Sequence, residues 1–299
     1  MNELSNRTKG IIFIIASAFG FAMMSAFVKL AGDLPSFQKT FFRNLVSCII
    51  AAIFIIKNKE SFFGKKESQK ILILRSIFGT IGIVLNFYAI DKLVLSDANM
   101  LNKLSPFFVI IFSALFLKER INIKQSIAIV IAFLGALFII KPTFNLDIIP
   151  SLLGVMGAIC AAAAYTCLRV LGGKEKHYTV VFFFSLFSTV VIFPFMIVVY
   201  KSMTMTQFIY LILAGVFASI GQFGVTLAYK YAPSKEISIF DYSNIIFSAI
   251  ISFIIFGVLP DYLSVLGYII IFSASFYMFL YNKKLDKSET KGKERKGNS

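Results

Sequence analysis

Ten runs of about twenty mostly apolar residues follow one another along this 299-residue chain, separated by short polar segments. They fall at 11–31, 36–57, 71–90, 96–117, 124–141, 151–171, 178–200, 207–230, 235–259 and 262–281. A helix needs about 20 residues to cross the hydrocarbon core of a bilayer. With no water there, backbone polar groups must be satisfied within the segment, so each run is predicted to be a spanning helix. The expected fold class is therefore an all-α polytopic membrane protein. Composition excludes the soluble alternative: 58% of residues are hydrophobic and 15% charged, where soluble domains run near half and a quarter. The N-terminal run lacks a small-residue cleavage site, so it is expected to stay as the first span.

The net charge of +15 invites a nucleic-acid partner, but the cations sit in the gaps between apolar runs, and none is expected. Their distribution instead sets an orientation. One set of gaps holds Arg7 and Lys9, then Lys57, Lys59, Lys65, Lys66 and Lys70, then Lys118, Arg120 and Lys124. It continues with Arg169, Lys174 and Lys176, Lys230 and Lys235, and seven cations of the tail. The alternate gaps hold only Lys39, Lys92, Lys141 and Lys201. Both termini are expected on the cytoplasmic side of a cell (plasma or inner) membrane, most simply a bacterial one. The expected partners are a lipid bilayer and a small-molecule substrate, with the chain a monomer or homodimer.

Two stretches mirror each other. Laid over one another without gaps, Ser96 meets Ser234, Ser105 meets Ser243, and Lys103 meets Asp241. Each sits in an apolar run and carries a charge of opposite sign. The expected division is 1–145 and 146–282 as two five-helix repeats, with 283–299 a disordered basic cytoplasmic tail. Five is odd, so the second repeat would insert upside down relative to the first, a transporter arrangement.

A charge at mid-bilayer costs about 2.5–3.5 kcal/mol unless it meets a partner or a cavity. Lys103 therefore either lines a cavity or snorkels to the interface; Asn99 and Asn102 flank it, and Pro106 frees local backbone groups. Asp241 is a proton- or cation-coupling carboxylate, a structural partner of Arg75, Arg169 or Lys103, or an exposed residue at the inner end of its span. Asn244, Ser248 and Ser252 extend its face. Arg43 either receives an acidic substrate group together with Lys103 or pairs with Asp33 or Asp97. Arg75 starts a stripe with Gly79, Gly82 and Asn86, and either faces the site or follows the positive-inside rule. Tyr165, Tyr242 and Gln222 are candidates to line the same space, while Lys29 reads as an interface anchor. Cys48, Cys160 and Cys167 form no metal-spaced set; neither metal nor cofactor is expected.

These residues bring a resemblance with them. Ser25–Lys29, Phe42-Arg43-Asn44, Arg75–Asn86, Leu104–Phe108, Phe116–Arg120, Ala164-Tyr165 with Arg169, and Phe240–Asn244 resemble the drug/metabolite transporter superfamily in its EamA-type ten-helix branch. Gly257-Val258-Leu259-Pro260 stands where that family often repeats a Gly-Glu pair. The resemblance implies ten helices in two inverted five-helix repeats around a central cavity. It also implies secondary transport of a small metabolite, most often export.

The expected substrate is a small polar, anionic or zwitterionic, amino-acid-like metabolite, moved by alternating access. Organic cations or drugs, or a lipid-linked molecule flipped across the bilayer, are the alternatives in the same fold. A membrane enzyme would need clustered carboxylates or histidines, whereas Asp241 is the one acid and no histidine is expected within the spans. No Walker A pattern is present to support ATP drive. The expected substrate-binding set is Arg43, Lys103, Asn99, Asn102, Asp241, Asn244, Tyr165, Gln222 and Arg75, with no catalytic residue.

Overall fold

A computed structural model describes residues 6–117, 122–141, 148–171, 174–231 and 238–297. Among these there is no strand. The helices are α1 (Asn6–Leu30), α2 (Ser36–Asn58), α3 (Gln69–Lys92), α4 (Leu95–Asn102), α5 (Ser105–Leu117) and α6 (Ile123–Ile140). They continue as α7 (Ile149–Leu171), α8 (His177–Val198), α9 (Met205–Tyr231), α10 (Ser243–Phe256) and α11 (Tyr262–Gly297). Ten stretches are long and apolar enough to cross a membrane, with α4 and α5 together forming the fourth.

Apolar runs of this length leave large side chains such as Ile56, Phe116, Val198 and Ile254 on the outside, where lipid replaces water as their solvent. Helix association in lipid gains little from the hydrophobic effect and relies on close packing of small residues. The main contacts show this. α1 crosses α9 where Gly20 meets the backbone of Gly221: a Cβ on Gly20 would lie 2.8 Å from the Gly221 nitrogen. Ser17 Oγ donates to Gly221 O there, at 2.7 Å. α3 crosses α7 at Gly82 and Gly157, and α6 crosses α11 at Gly135 and Gly267.

The pairings have an internal order. Spans one and eight pack together, as do two and seven, three and six, four and nine, and five and ten. Exchanging every span for the one five along leaves this set of pairs unchanged. The same exchange carries the secondary contact of α2 with α9 into that of α8 with α3.

Two of the spans are interrupted. The fourth span is not one helix: α4 stops at Asn102 and α5 begins at Ser105. Pro106 explains the restart, because a proline in a first turn lacks only an N–H that has no partner there anyway. The ninth span opens with a 3-10 turn over Ser238–Tyr242 and becomes α-helical at Ser243. Ser105 and Ser243 are the residues that overlay in sequence, so both charges sit at a helix break in the same register. The α11 backbone continues as helix to Gly297; its Lys, Glu and Arg are good helix formers.

The Gly20 crossing yields a prediction. Gly20→Val places side-chain atoms against α9 backbone and should destabilise the detergent-solubilised protein by about 1–3 kcal/mol, read as a lower Tm. An unchanged Tm would remove the crossing as a packing determinant.

Candidate substrate cavity

The two breaks face each other. Lys103 Nζ lies 2.5 Å from Asp241 Oδ2, an ion pair joining the fourth and ninth spans. Tyr242 braces it by donating to Lys103 O at 3.3 Å, and its hydroxyl also bonds Ser275 Oγ. Of the roles open to Lys103 and Asp241, mutual pairing is the one observed. Lys103 does not snorkel; it lines the same cavity as Arg43.

This ion pair forms part of the wall of a cavity of about 880 Å³, within the range of about 300–1,000 Å³ that holds small-molecule ligands. All nine candidate residues line it: Arg43, Arg75, Asn99, Asn102, Lys103, Tyr165, Gln222, Asp241 and Asn244. Apolar surface from Phe21, Phe87, Phe107, Ile83 and Leu168 separates the polar groups. Among the described residues no group of His, Cys, Asp or Glu could hold a metal ion.

The polar groups are held in place from behind. Asn99 accepts from Ser25 Oγ at 3.1 Å and donates to Ser248 Oγ at 2.8 Å, tying α1, α4 and α10 together. Asn244 donates to Ala18 O at 2.8 Å. Arg43, 1% exposed, donates to Asn44 Oδ1 at 2.5 Å, and Asn44 is held by Ser188 at 2.8 Å. Neither Asp33 nor Asp97 pairs with Arg43. Arg75 is not an interface residue: it is 5% exposed and its guanidinium lies 3.7 Å from the centre of the Phe184 ring. Gly79 makes room, since a Cβ there would meet Phe184 at 2.8 Å and Arg75 Nη1 at 3.3 Å. Arg43 Nε, Arg75 Nε and Nη1, and Asn86 Oδ1 are buried without a hydrogen-bond partner. The Arg169 side chain lies outside the described residues.

Ser25, Ser275 and Phe184 belong to the cavity and were not candidates. Nothing distinguishes them locally from the other serines and phenylalanines of the spans; only helix rotation brings them inward.

The cavity lining extends to Gln125, Met278 and Phe279, near the end of the bundle that carries most loop cations. The opposite end is closed by polar contacts. Lys39, fully buried, sits 2.5 Å from Asp91 and donates to Gly32 O at 2.7 Å. Lys29 donates to Ile90 O at 3.0 Å and also to Leu93 O, so it ties α1 to the end of α3 rather than anchoring in the interface. Asp97 accepts from Tyr268, whose hydroxyl also bonds Ser96 at 2.9 Å. Asp91 and Asp97 thus correct the expectation of a single acid within the spans: both are inside spanning helices, at this end. Lys141 pairs with Asp261 between α6 and α11, and that contact holds the Asp261 carboxyl below its usual range.

Comparison with known proteins fits this geometry. The model of the EamA-like transporter family matches residues 8–141 and again 148–280. The chain belongs to this family. It is 31% identical over 267 residues to the pseudopaline exporter CntI of Pseudomonas aeruginosa, covering 88% of this chain and 93% of that one. It is 24% identical over 294 residues to the S-adenosylmethionine uptake transporter of Rickettsia bellii, covering 95% and 98%. Human solute carrier family 35 member G1 is 24% identical, covering 86% and 75%. A solved crystal structure superposes with a TM-score of 0.68 at 13% identity, covering 93% of this chain and 99% of that one, which shows a shared fold. The protein is a multi-pass membrane transporter and not an enzyme.

The closed end can be tested directly. Asp91→Asn leaves Lys39 buried without its counter-charge, which costs about 3–5 kcal/mol and should lower the Tm. Lys39→Met combined with Asp91→Leu should recover most of that loss. If the double variant is no more stable than Asp91→Asn, the ion pair is not what holds this end.

Proposed function

We propose that this chain is a secondary active exporter of a small polar metabolite with an anionic or zwitterionic, amino-acid-like head, working by alternating access. The observation that carries this is the cavity itself. It presents Arg43 and Arg75 without carboxylate partners among the described residues, and an ion pair that a substrate can open. An acidic group entering the cavity competes with Asp241 for Lys103. The released Asp241 then takes a proton or the substrate's amine. Binding and pair opening are thereby coupled, and a proton gradient can drive the exchange.

The conformational half of the cycle rests on an inverted repeat, for which the two family matches and the span pairings are the support. Five spans per half force opposite insertion, and the span pairings survive exchange of the two halves. Such halves can rock about a site between them. The loop cations support cytoplasmic termini, and in that orientation the cavity reaches the cytoplasmic end while Lys39–Asp91 closes the outer end. The exporter of Pseudomonas aeruginosa supports outward flux, whereas the Rickettsia bellii relative is named as an uptake transporter. Direction therefore rests on gradients as well as on structure.

Proteoliposome exchange tests this. Wild type should exchange labelled acidic or zwitterionic compounds, with accumulation driven by a proton gradient. Lys103→Ala and Asp241→Asn should each abolish transport while still inserting into membranes and eluting as a single species. Normal transport by both variants would sink the charge-pair mechanism, and movement of organic cations alone would make Asp241 the substrate ligand in place of the cations.

A further inference from the structure

The charges lining the cavity do not cancel. Among the described residues, Arg43, Arg75 and Lys103 are its cations and Asp241 its acid, and Lys103 is taken up by Asp241. Two guanidiniums remain. Arg43 and Arg75 line the same cavity, neither has a carboxylate within ion-pair distance among the described residues, and Arg43 Nε and Arg75 Nε and Nη1 have no hydrogen-bond partner. Buried cations are normally paired with an anion. Two that share one low-dielectric space without a counter-charge are a large local debt of free energy, and they persist in folded proteins where a ligand settles it.

Both guanidiniums are also fixed before anything binds. Phe184 stacks under the plane of Arg75 at 3.7 Å, so its donors are directed along its edges. Asn44 holds one edge of Arg43 and is itself anchored by Ser188. A planar fork held in this way favours a carboxylate or phosphate, taken bidentately, over a spherical ion.

We infer that the substrate carries two acidic groups on one molecule, one for Arg43 and one for Arg75, joined by a body that faces Phe87 and Ile83. This rests on the transport reading and narrows its substrate class. A monoacid leaves one guanidinium bare. A diacid neutralises both and leaves Lys103–Asp241 free to respond to any amine or proton it brings.

The test is ligand binding by the full chain in detergent. The probes are succinate, glutarate and adipate, the monocarboxylates of equal length, and the corresponding diamines. At least one dicarboxylate should bind about tenfold or more tightly than its monocarboxylate. Arg43→Gln and Arg75→Gln should each erase that advantage, leaving dicarboxylate and monocarboxylate equal. A separate readout distinguishes a ligand site from a structural one: Arg75→Met should leave the Tm of the empty protein unchanged or raised, because it removes an unpaired buried charge. Equal binding of mono- and dicarboxylates, tighter binding of diamines, no saturable binding by any probe, or a Tm of Arg75→Met well below wild type would overturn the inference. Exchange of the same probes in proteoliposomes separates the two levels. Arginine-dependent dicarboxylate binding without exchange would leave the site standing and the transport reading fallen. Exchange of the monocarboxylates with no advantage for any dicarboxylate would do the reverse.

Discussion

A charge inside a bilayer must find either a partner or a wet cavity, and the structure of this chain follows from how its buried charges meet that condition. Lys39 and Asp91 find each other at one end of the bundle. Lys103 and Asp241 find each other near the middle, where two spans break. Among the described residues Arg43 and Arg75 have no carboxylate partner: an amide holds one and an aromatic face the other. The first pair lies at one end of the bundle, while the second pair and the two arginines line the cavity.

The spans were legible because the bilayer imposes one length and one polarity on each of them. The candidate residues were legible for a related reason: a polar group in such a run is costly enough that its presence needs explaining. All nine reach one cavity. Partner choice was less legible. Arg75 reads equally well as an interface cation until α3 is seen to turn it onto Phe184. Asp91 and Asp97 look like loop acids until Lys39 and Tyr268 are found against them. Which neighbour a side chain meets depends on helix rotation, and rotation is set by crossings such as Gly20 on Gly221, which no run length encodes.

The helix breaks show the same division. Pro106 announces a disturbance in the fourth span, yet α5 begins at Ser105 and the preceding helix ends at Asn102. The ninth span has no proline near Ser243 and still changes helix type there. Ser105 and Ser243, which overlay in sequence, both stand at the start of an α-helix, a coincidence of register that run length alone does not announce.

Lys103 and Asp241 occupy matching positions in two halves that each match one family model. Had the halves stayed identical, this contact would bring lysine against lysine or aspartate against aspartate, and like charges in a low dielectric repel. Attraction at a point shared by two equivalent segments requires that they differ there. A protein stitched from two copies of the first half would therefore carry a fault at its centre, however well its glycine crossings fitted. The opposite signs at this one place make the two segments complementary instead of interchangeable, and a tandem arrangement in one polypeptide ensures that each always meets the other kind.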